Sequence, residues 1–529
     1  MKRFFITAAL VLLAASVGYA GNVDTYGIGS KATALGGAFS ATADDPYAIY
    51  YNPAGLTQIE KRVFSVGINM IDPTIEVSNY RVSNTDDPLI EGPRDFNDDS
   101  PNLYAPHLGF AMPLSDKLAL GIAGYAPWGL RLEWNPNPAQ NPAAYNYFTS
   151  YYIREAVTPT LAYKVSDKLS VGFGISIGKT IAGEERKLYV SPDIGNDPVL
   201  APALRQGAYA QAENSIAQVE AANQEAGGLV APITTASGAY SFLTTYAPDR
   251  TEEAAAFKAL SDQGLETPEQ ISAAQAARYA GQPAVDHGAH VEAELEDDIN
   301  YSFNFGVMYK PMDVFTIGLT YRSRANAELE GDVEKYGVKI ADARLDYDHP
   351  DQIQIGVRYV PRSLKDLSIE ADLVWTNWSM NETQSAIMDP YLEIDVIEGQ
   401  EPVRKYDSTY RRDWEDTKQV RIGVQWKASD ILTLRGGYFY DPTPIPDDTL
   451  DLMWADADKK TYSLGAGLDL GNWTLDTVFQ YVDIEKARYL GGESENLNSS
   501  YEGTGVHREV SLEADGHLWG LGLTLSYAF

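Results

Sequence analysis

The sequence predicts an all-β transmembrane barrel of about 14 antiparallel strands, with an N-terminal plug in its lumen and short helices in one long extracellular loop. Three observations predict it: an export signal at the start, a series of segments with strictly alternating apolar and polar residues, and a last strand ending on an aromatic residue. Each suits a wall with one face in lipid and the other in water.

The export signal comes first. Lys2 and Arg3 precede an apolar run from Phe4 to Val17, and Gly18 and Ala20 stand where cleavage after Ala20 requires small residues. The run is too short to span a membrane, and no later window approaches the roughly 20 consecutive apolar residues of a transmembrane helix. Residues 1–20 are therefore expected to be a signal peptide, and the mature chain to leave the cytoplasm without a helical anchor.

Residues 21–60 read as a plug. Small residues dominate (Gly36, Gly37, Ala38, Ala41, Ala43, Ala54, Gly55), and the turn Asn52-Pro53-Ala54-Gly55 closes the segment. That composition suits chain folded tightly inside something else. The Asn52 side chain is placed to bond local backbone and hold the turn, with Asp44 and Asp45 as acidic groups of the same segment.

Residues 61–529 carry the strands. In Lys168–Gly178, Leu169, Val171, Phe173, Ile175 and Ile177 share one face, and Ser170, Gly172, Gly174, Ser176 and Gly178 the other. The alternation returns around Ile353, Val420 and Leu432. Short turns such as Pro113–Lys117, Ser166–Lys168 and Gly471–Asn472 alternate with polar stretches near 79–102, 128–150, 186–291, 331–349, 380–415, 441–458 and 487–507, which read as long loops. Within the longest, an insertion at about 190–290, capping-box spacings at Asp249–Glu252 and Thr267–Gln270 and a stop at Gly281 predict two or three short helices. They form either a cover over the barrel mouth or a flexible insertion. The last strand places Trp519, Leu521, Leu523, Leu525, Tyr527 and Phe529 on one face, similar to the C-terminal signal read by barrel assembly machinery.

Composition excludes other classes. The 529-residue chain has a formal net charge of −33, 34 Tyr and no Cys. Disulfides and thiolate chemistry are impossible, and such a charge repels nucleic acid. Six scattered His and the lack of a nucleotide loop argue against an enzyme and against a cofactor. His287 and His290, near Asp286 and Glu292, have metal-like spacing in a polar loop, which is read as incidental, so no metal is expected.

Two groups of residues stand out as functional. Gly121–Gly129 holds Gly124, Pro127 and Gly129; Pro127 removes a ladder donor and the glycines permit a bulge or bend, the alternative being an ordinary strand end. By strand parity Lys164, Arg322, Arg358, Arg421 and Arg435 face the lumen, as do Glu370 and Asp372. The cations are free to meet an acidic ligand, or to pair with those carboxylates or with Asp44 and Asp45.

Four segments carry a family resemblance: Gly29–Ala38 through Asp44-Asp45 to Asn52-Pro53-Ala54; Leu161–Gly172; Phe305–Tyr309 with Leu319–Ser323; and Val374–Ser379 with Arg435–Pro444. In their order and spacing the chain resembles the FadL family of outer-membrane transporters for long-chain fatty acids and other hydrophobic compounds. The resemblance implies a multi-pass protein of the bacterial outer membrane, bordered by lipid and lipopolysaccharide and monomeric. Its N-terminal hatch would fill the barrel. A hydrophobic ligand would be captured outside, pass to a pocket beside the hatch and leave sideways through the wall at a kink in an early strand. Gly36, Gly37, Asp44, Asp45, Asn52, Pro53 and Ala54 then become hatch or gating residues, and Gly124, Pro127 and Gly129 mark the lateral opening. Lys164 takes a head-group position, with Arg322 and Arg435 as further head-group contacts; no second basic match follows Trp378-Ser379. Passive uptake of long-chain fatty acids is the first expectation, aromatic or alkane hydrocarbons the alternative within the family, and a structural or adhesive barrel the alternative outside it.

Overall fold

In the computed structural model, strand alternation becomes a closed wall. The structure describes residues 27–85, 87–189, 200–248, 250–280, 288–390, 406–501 and 506–529. The expected signal peptide, the start of the plug, and Asp249, Gly281, Asp286 and His287 lie outside these.

The wall consists of 14 antiparallel strands. We label them β1 (Val63–Val82), β2 (Leu103–Pro113), β3 (Leu118–Glu133), β4 (Thr149–Ser166), β5 (Leu169–Lys187), β6 (His290–Met312) and β7 (Phe315–Arg322). The second half continues with β8 (Gln352–Tyr359), β9 (Leu367–Thr376), β10 (Thr417–Lys427), β11 (Leu432–Asp441), β12 (Lys459–Leu470), β13 (Trp473–Gly491) and β14 (Val510–Ala528). Each pairs with its neighbour in sequence, and β14 closes on β1 from Val63↔Ala528 to Val82↔Val510. Closure leaves no sheet edge, which a barrel needs in a solvent that cannot hydrogen-bond backbone.

Alternation fixes which face is which. On β4 and β5, Leu161, Tyr163, Phe173, Ile175 and Ile177 are exposed, whereas Thr158, Thr160, Ser170 and Ser176 are buried inside. Ile353, Ile355 and Val357 on β8 and Val420, Ile422 and Val424 on β10 repeat the outward apolar face. Water would not tolerate such a band; lipid does. Aromatic pairs such as Phe315–Tyr359 and Trp473–Tyr527, with centroids 4.9 and 4.6 Å apart, ring the short-turn end.

Three stretches expected to be loops contain strands of their own, the shortest being Arg94–Asn97, which pairs with the outer part of β1. Ala325–Lys335 pairs with Val338–His349, and Thr383–Pro390 with Tyr406–Arg411, extending the wall beyond the apolar band. Val333, Ala341 and Ala343 face inward there while Asp332, Asp342 and Asp346 point out. Beyond lipid the outer face can be charged, so these strands read as polar overall although their period is still two.

The insertion holds four helices where two or three were expected: Leu200–Glu225, Ala236–Tyr246, Thr251–Asp262 and Pro268–Ala280. Thr267 and Gln270 form the predicted capping box, each side chain bonding the other's backbone N–H. Ile216, Val219, Phe242, Leu243, Phe257 and Ile271 build an apolar cluster whose members all come from the insertion. No helix among the described residues is long and apolar enough to cross a membrane.

Candidate functional site

Residues 27–59 pack against inward-facing groups all around the wall. Helical turns at Ser30–Ala34 and Ala48–Tyr51 and a 3-10 helix at Pro53–Gln58 give the segment its shape. The Ser30 N–H donates to Thr524 Oγ1 of β14 at 2.9 Å, and Thr320 of β7 donates to the Tyr51 carbonyl at 2.7 Å. On β9, Asp372 accepts from the Ser40 N–H at 3.1 Å and Glu370 from the Ala41 N–H at 2.6 Å. Gly36 and Gly37 have φ of 64° and 72°, and a Cβ on Gly36 would lie 2.9 Å from the Tyr438 carbonyl oxygen. Only glycine meets both demands.

Asn52 is fully buried and serves two structures at once. Its Oδ1 accepts from the Ala54 N–H at 3.1 Å, capping the 3-10 helix, while Nδ2 donates to the Ser40 and Val307 carbonyls at 2.7 and 3.0 Å. Pro53 and Ala54 press on wall glycines Gly172 and Gly306, where side chains would collide with them. Asp44 pairs with Lys31 at 2.6 Å, and Asp45 accepts from the Tyr47 N–H at 2.8 Å.

The wall is interrupted beside this segment. Pairing between β2 and β3 runs from Pro113↔Ala119 to Leu108↔Gly124 and stops. Continuing the register would set Pro106 opposite Ala126 and Ala105 opposite Pro127, and neither proline has an N–H to give. Further along, the Asp98↔Trp134 bridge and the Asp99 N–H to Glu133 carbonyl bond join the edges again. A window is left, with Tyr47 and Tyr50 against its lumenal side: Tyr47 meets His107 at 5.0 Å between centroids and Tyr50 meets Tyr125 at 5.5 Å. Asn52 bonds β6 and Pro53 lies against β5 and β6 instead, so these tyrosines, and not the Asn-Pro turn, are the ones against the window.

A bulge lies within the window. Tyr125 pairs with Ala156 and Trp128 with Arg154, so Ala126 and Pro127 together face Glu155 alone. The extra residue inverts the parity of β3 beyond it. Trp128, Leu132 and Trp134 turn inward and are buried, where unbroken alternation would have sent Gly129, Arg131 and Glu133.

Those inward rings join an aromatic cluster at the long-loop end. Trp128 stacks on His349 at 4.6 Å and 11°; His349 also meets Tyr152 at 4.9 Å and Tyr347 at 5.4 Å. Tyr347 stacks on Trp454, which meets Trp414, which meets Trp378. Tyr152 and Trp454 also line a groove of about 910 Å³, its open mouth included. Val291, Leu295, Val333, Leu345 and Met388 make it apolar, and Arg186 and Arg412 stand on its lining.

The cations expected to meet an acidic ligand are engaged elsewhere. Lys164 faces in from beside the Ser166–Lys168 turn, paired with Asp167 at 3.0 Å. Arg322 is buried, bonding Gln352, Gln354 and the Tyr50 carbonyl, with its guanidinium 4.6 Å from the Tyr50 ring centroid. Arg435 pairs with Asp476 at 2.7 Å and also bonds Gln425. Pairing is thus the local arrangement, with partners other than the carboxylates Glu370 and Asp372 of the expectation, which bind the lumenal segment's backbone. At the rim, His290 bonds Glu185 at 2.7 Å with Glu292 alongside. Sequence spacing singles out His290 and Glu292 but places them in a loop, whereas they lie on β6, and it does not suggest the third member, Glu185 of β5.

A family model described as outer membrane protein transport protein (OMPP1/FadL/TodX) matches residues 10–232 and 244–529. The chain belongs to the FadL/TodX family. Among its relatives, a long-chain fatty acid transport protein of Escherichia coli O6:H1 is 22% identical over 94% of this chain and 93% of its own. Outer membrane protein P1 of Haemophilus influenzae Rd is 23% identical over the full length of both. Among solved structures, a Pseudomonas aeruginosa FadL homologue matches with a TM-score of 0.65 at 17% identity, covering 97% of this chain and 100% of its own. The Pseudomonas putida toluene transporter TodX matches at 0.57 and 14%, covering 96% and 99%. Membership in the FadL/TodX family makes this a bacterial outer-membrane barrel of a class that transports hydrophobic compounds, with the long loops on the extracellular side. Sequence reasoning missed the cluster around His349; the signal was present in Ala341, Ala343, Leu345, Tyr347 and His349, spaced two apart in a stretch read as a loop.

Proposed function

We propose that the protein takes up hydrophobic small molecules passively, by capture in the extracellular groove and lateral exit through the window between β2 and β3. The observation that carries this reading is the window: the β2–β3 ladder ends at Leu108↔Gly124, inside the apolar band, beside the prolines and the bulge. The lumenal segment acts as a hatch that blocks straight passage. A greasy ligand leaving sideways enters lipid without exposing its surface to water, at a gain of about 25 cal/mol per Å² of apolar surface.

Long-chain fatty acids fit the groove, with the chain along Val291, Leu295 and Val333 and the carboxylate toward Arg186, since Arg412 is already paired with Asp451 at 2.6 Å. Aromatic hydrocarbons are the second reading, favoured by the rings of Tyr152 and Trp454 in the groove. Uptake of labelled oleate and labelled toluene into a transporter-null strain tests both. Entry of either compound that depends on the protein supports transport; equal entry with and without it ends the reading.

A further inference from the structure

We propose that the ring cluster around His349 is a binding site for neutral aromatic molecules that carry a hydroxyl group. It rests on the uptake reading and narrows the second ligand class. Both His349 ring nitrogens, the Tyr347 hydroxyl and the indole N–H groups of Trp414 and Trp454 are buried without a hydrogen-bond partner. The four side chains are no more than 5% exposed. They form one patch, since Tyr347 touches His349, Trp414 and Trp454, with centroids 5.4, 6.4 and 5.4 Å apart. A cluster that served packing alone would gain nothing from five unpaired polar atoms, each of which is costly to bury. A site arranged for a ligand needs them.

Their chemistry selects the ligand. A neutral imidazole offers one donor and one acceptor, and the indoles offer donors only. A ligand hydroxyl can donate to the imidazole acceptor while accepting from an indole or from Tyr347. A hydrocarbon of the same shape satisfies none of these atoms, and its ring alone gains only stacking. The rival is an aromatic carboxylate held by Arg154, which pairs with Trp128 across β3 and β4 and whose Nη2 is also unpaired. It would have to shed its water among the rings, which the neutral hydroxyl does at far lower cost. The cluster also touches both ends of the proposed route, because Tyr152 and Trp454 line the groove and Trp128 borders the window.

The test is equilibrium dialysis of the purified full-length protein in detergent with labelled p-cresol, toluene and p-toluate, repeated for His349→Phe and Tyr347→Phe. Heat-modifiable migration on gels verifies that each variant is a folded barrel. Wild type is expected to bind p-cresol about tenfold or more tighter than toluene, and His349→Phe to remove that preference, read as the ratio of the two affinities. If His349→Phe does not fold, Tyr347→Phe carries the same expectation in weaker form. Equal binding of p-cresol and toluene to wild type, tighter binding of p-toluate, or an undiminished p-cresol preference in the folded variants overturns the proposal. Cellular uptake of oleate and toluene is scored separately, so a failure of the transport reading is distinguishable from a failure at this site.

Discussion

Asn52 reaches from the lumenal segment to the wall and donates to the Val307 carbonyl at 3.0 Å, while its other amide atom caps the following 3-10 helix. One side chain therefore holds both the segment's internal turn and its attachment to β6. Asn52→Ala removes three buried hydrogen bonds, worth about 3 kcal/mol together. The barrel itself should still form. The expected result is leakage of small hydrophilic solutes, read as sensitivity to antibiotics that the outer membrane normally excludes. Asn52→Asp keeps the cap but sets a carboxylate against two carbonyls, and should leak more than Asn52→Ala.

On β9, three strands along the wall from β6, Asp372 and Glu370 hold the Ser40 and Ala41 N–H groups. The double variant Glu370→Ala/Asp372→Ala should free this part of the segment. Limited proteolysis of the folded protein is expected to cut near residue 40 in the variant and not in the wild type; equal protection in both would show that the backbone is held by other contacts.

Deletion of Pro127 tests the window. With one residue removed, Ala126 alone faces Glu155 and β3 pairs with β4 without a bulge, while Trp128 stays inward opposite Arg154, so the bend beside the window is what is lost. Uptake should fall to the level of a transporter-null strain while the barrel keeps its heat-modifiable migration.

Lys164→Ala should change oleate uptake by less than about twofold. The ammonium is half-buried beside a short turn and paired with Asp167, and such pairs contribute little. A large loss specific to fatty acids would place the head group at the periplasmic end after all.

Replacing residues 200–280 with a short flexible linker should leave both barrel stability and uptake intact. The insertion's apolar residues pack on one another. Its two ends are already joined by the Leu188 N–H bond to the Ala289 carbonyl at 2.9 Å. Lost uptake in a folded variant would make the helices part of capture.

How much of this was legible in the sequence follows from what each pattern reports. Period-two alternation in Leu169–Ile177 states both the strand and its lipid face, because only there do polarity and direction coincide. Beyond the lipid, strands such as Val338–His349 keep the period but lose the contrast, and they were read as loops. Pro127 stood out in the sequence because a missing N–H is a property of the residue itself, and the β2–β3 ladder ends beside it. The stacking of Trp128 on His349 was not legible, since it depends on a parity inversion by the bulge and on chain 221 residues away. The partners of Arg322 and Arg435 were hidden for the same reason: parity gives a side chain's direction but not its neighbours.

The contact between Ser30 and Thr524 joins the beginning of the described chain to its last strand, 494 residues later. It constrains the order of assembly. Thr524 also meets His107 on β2, so three distant parts of the chain converge at one hydroxyl beside the β1–β14 seam. Contacts of such long range form late, because the loop they close is costly in entropy until the intervening structure exists. The lumenal segment must therefore be waiting inside the nascent sheet when β14 arrives, and seating the first residues and sealing the last strand become a single event.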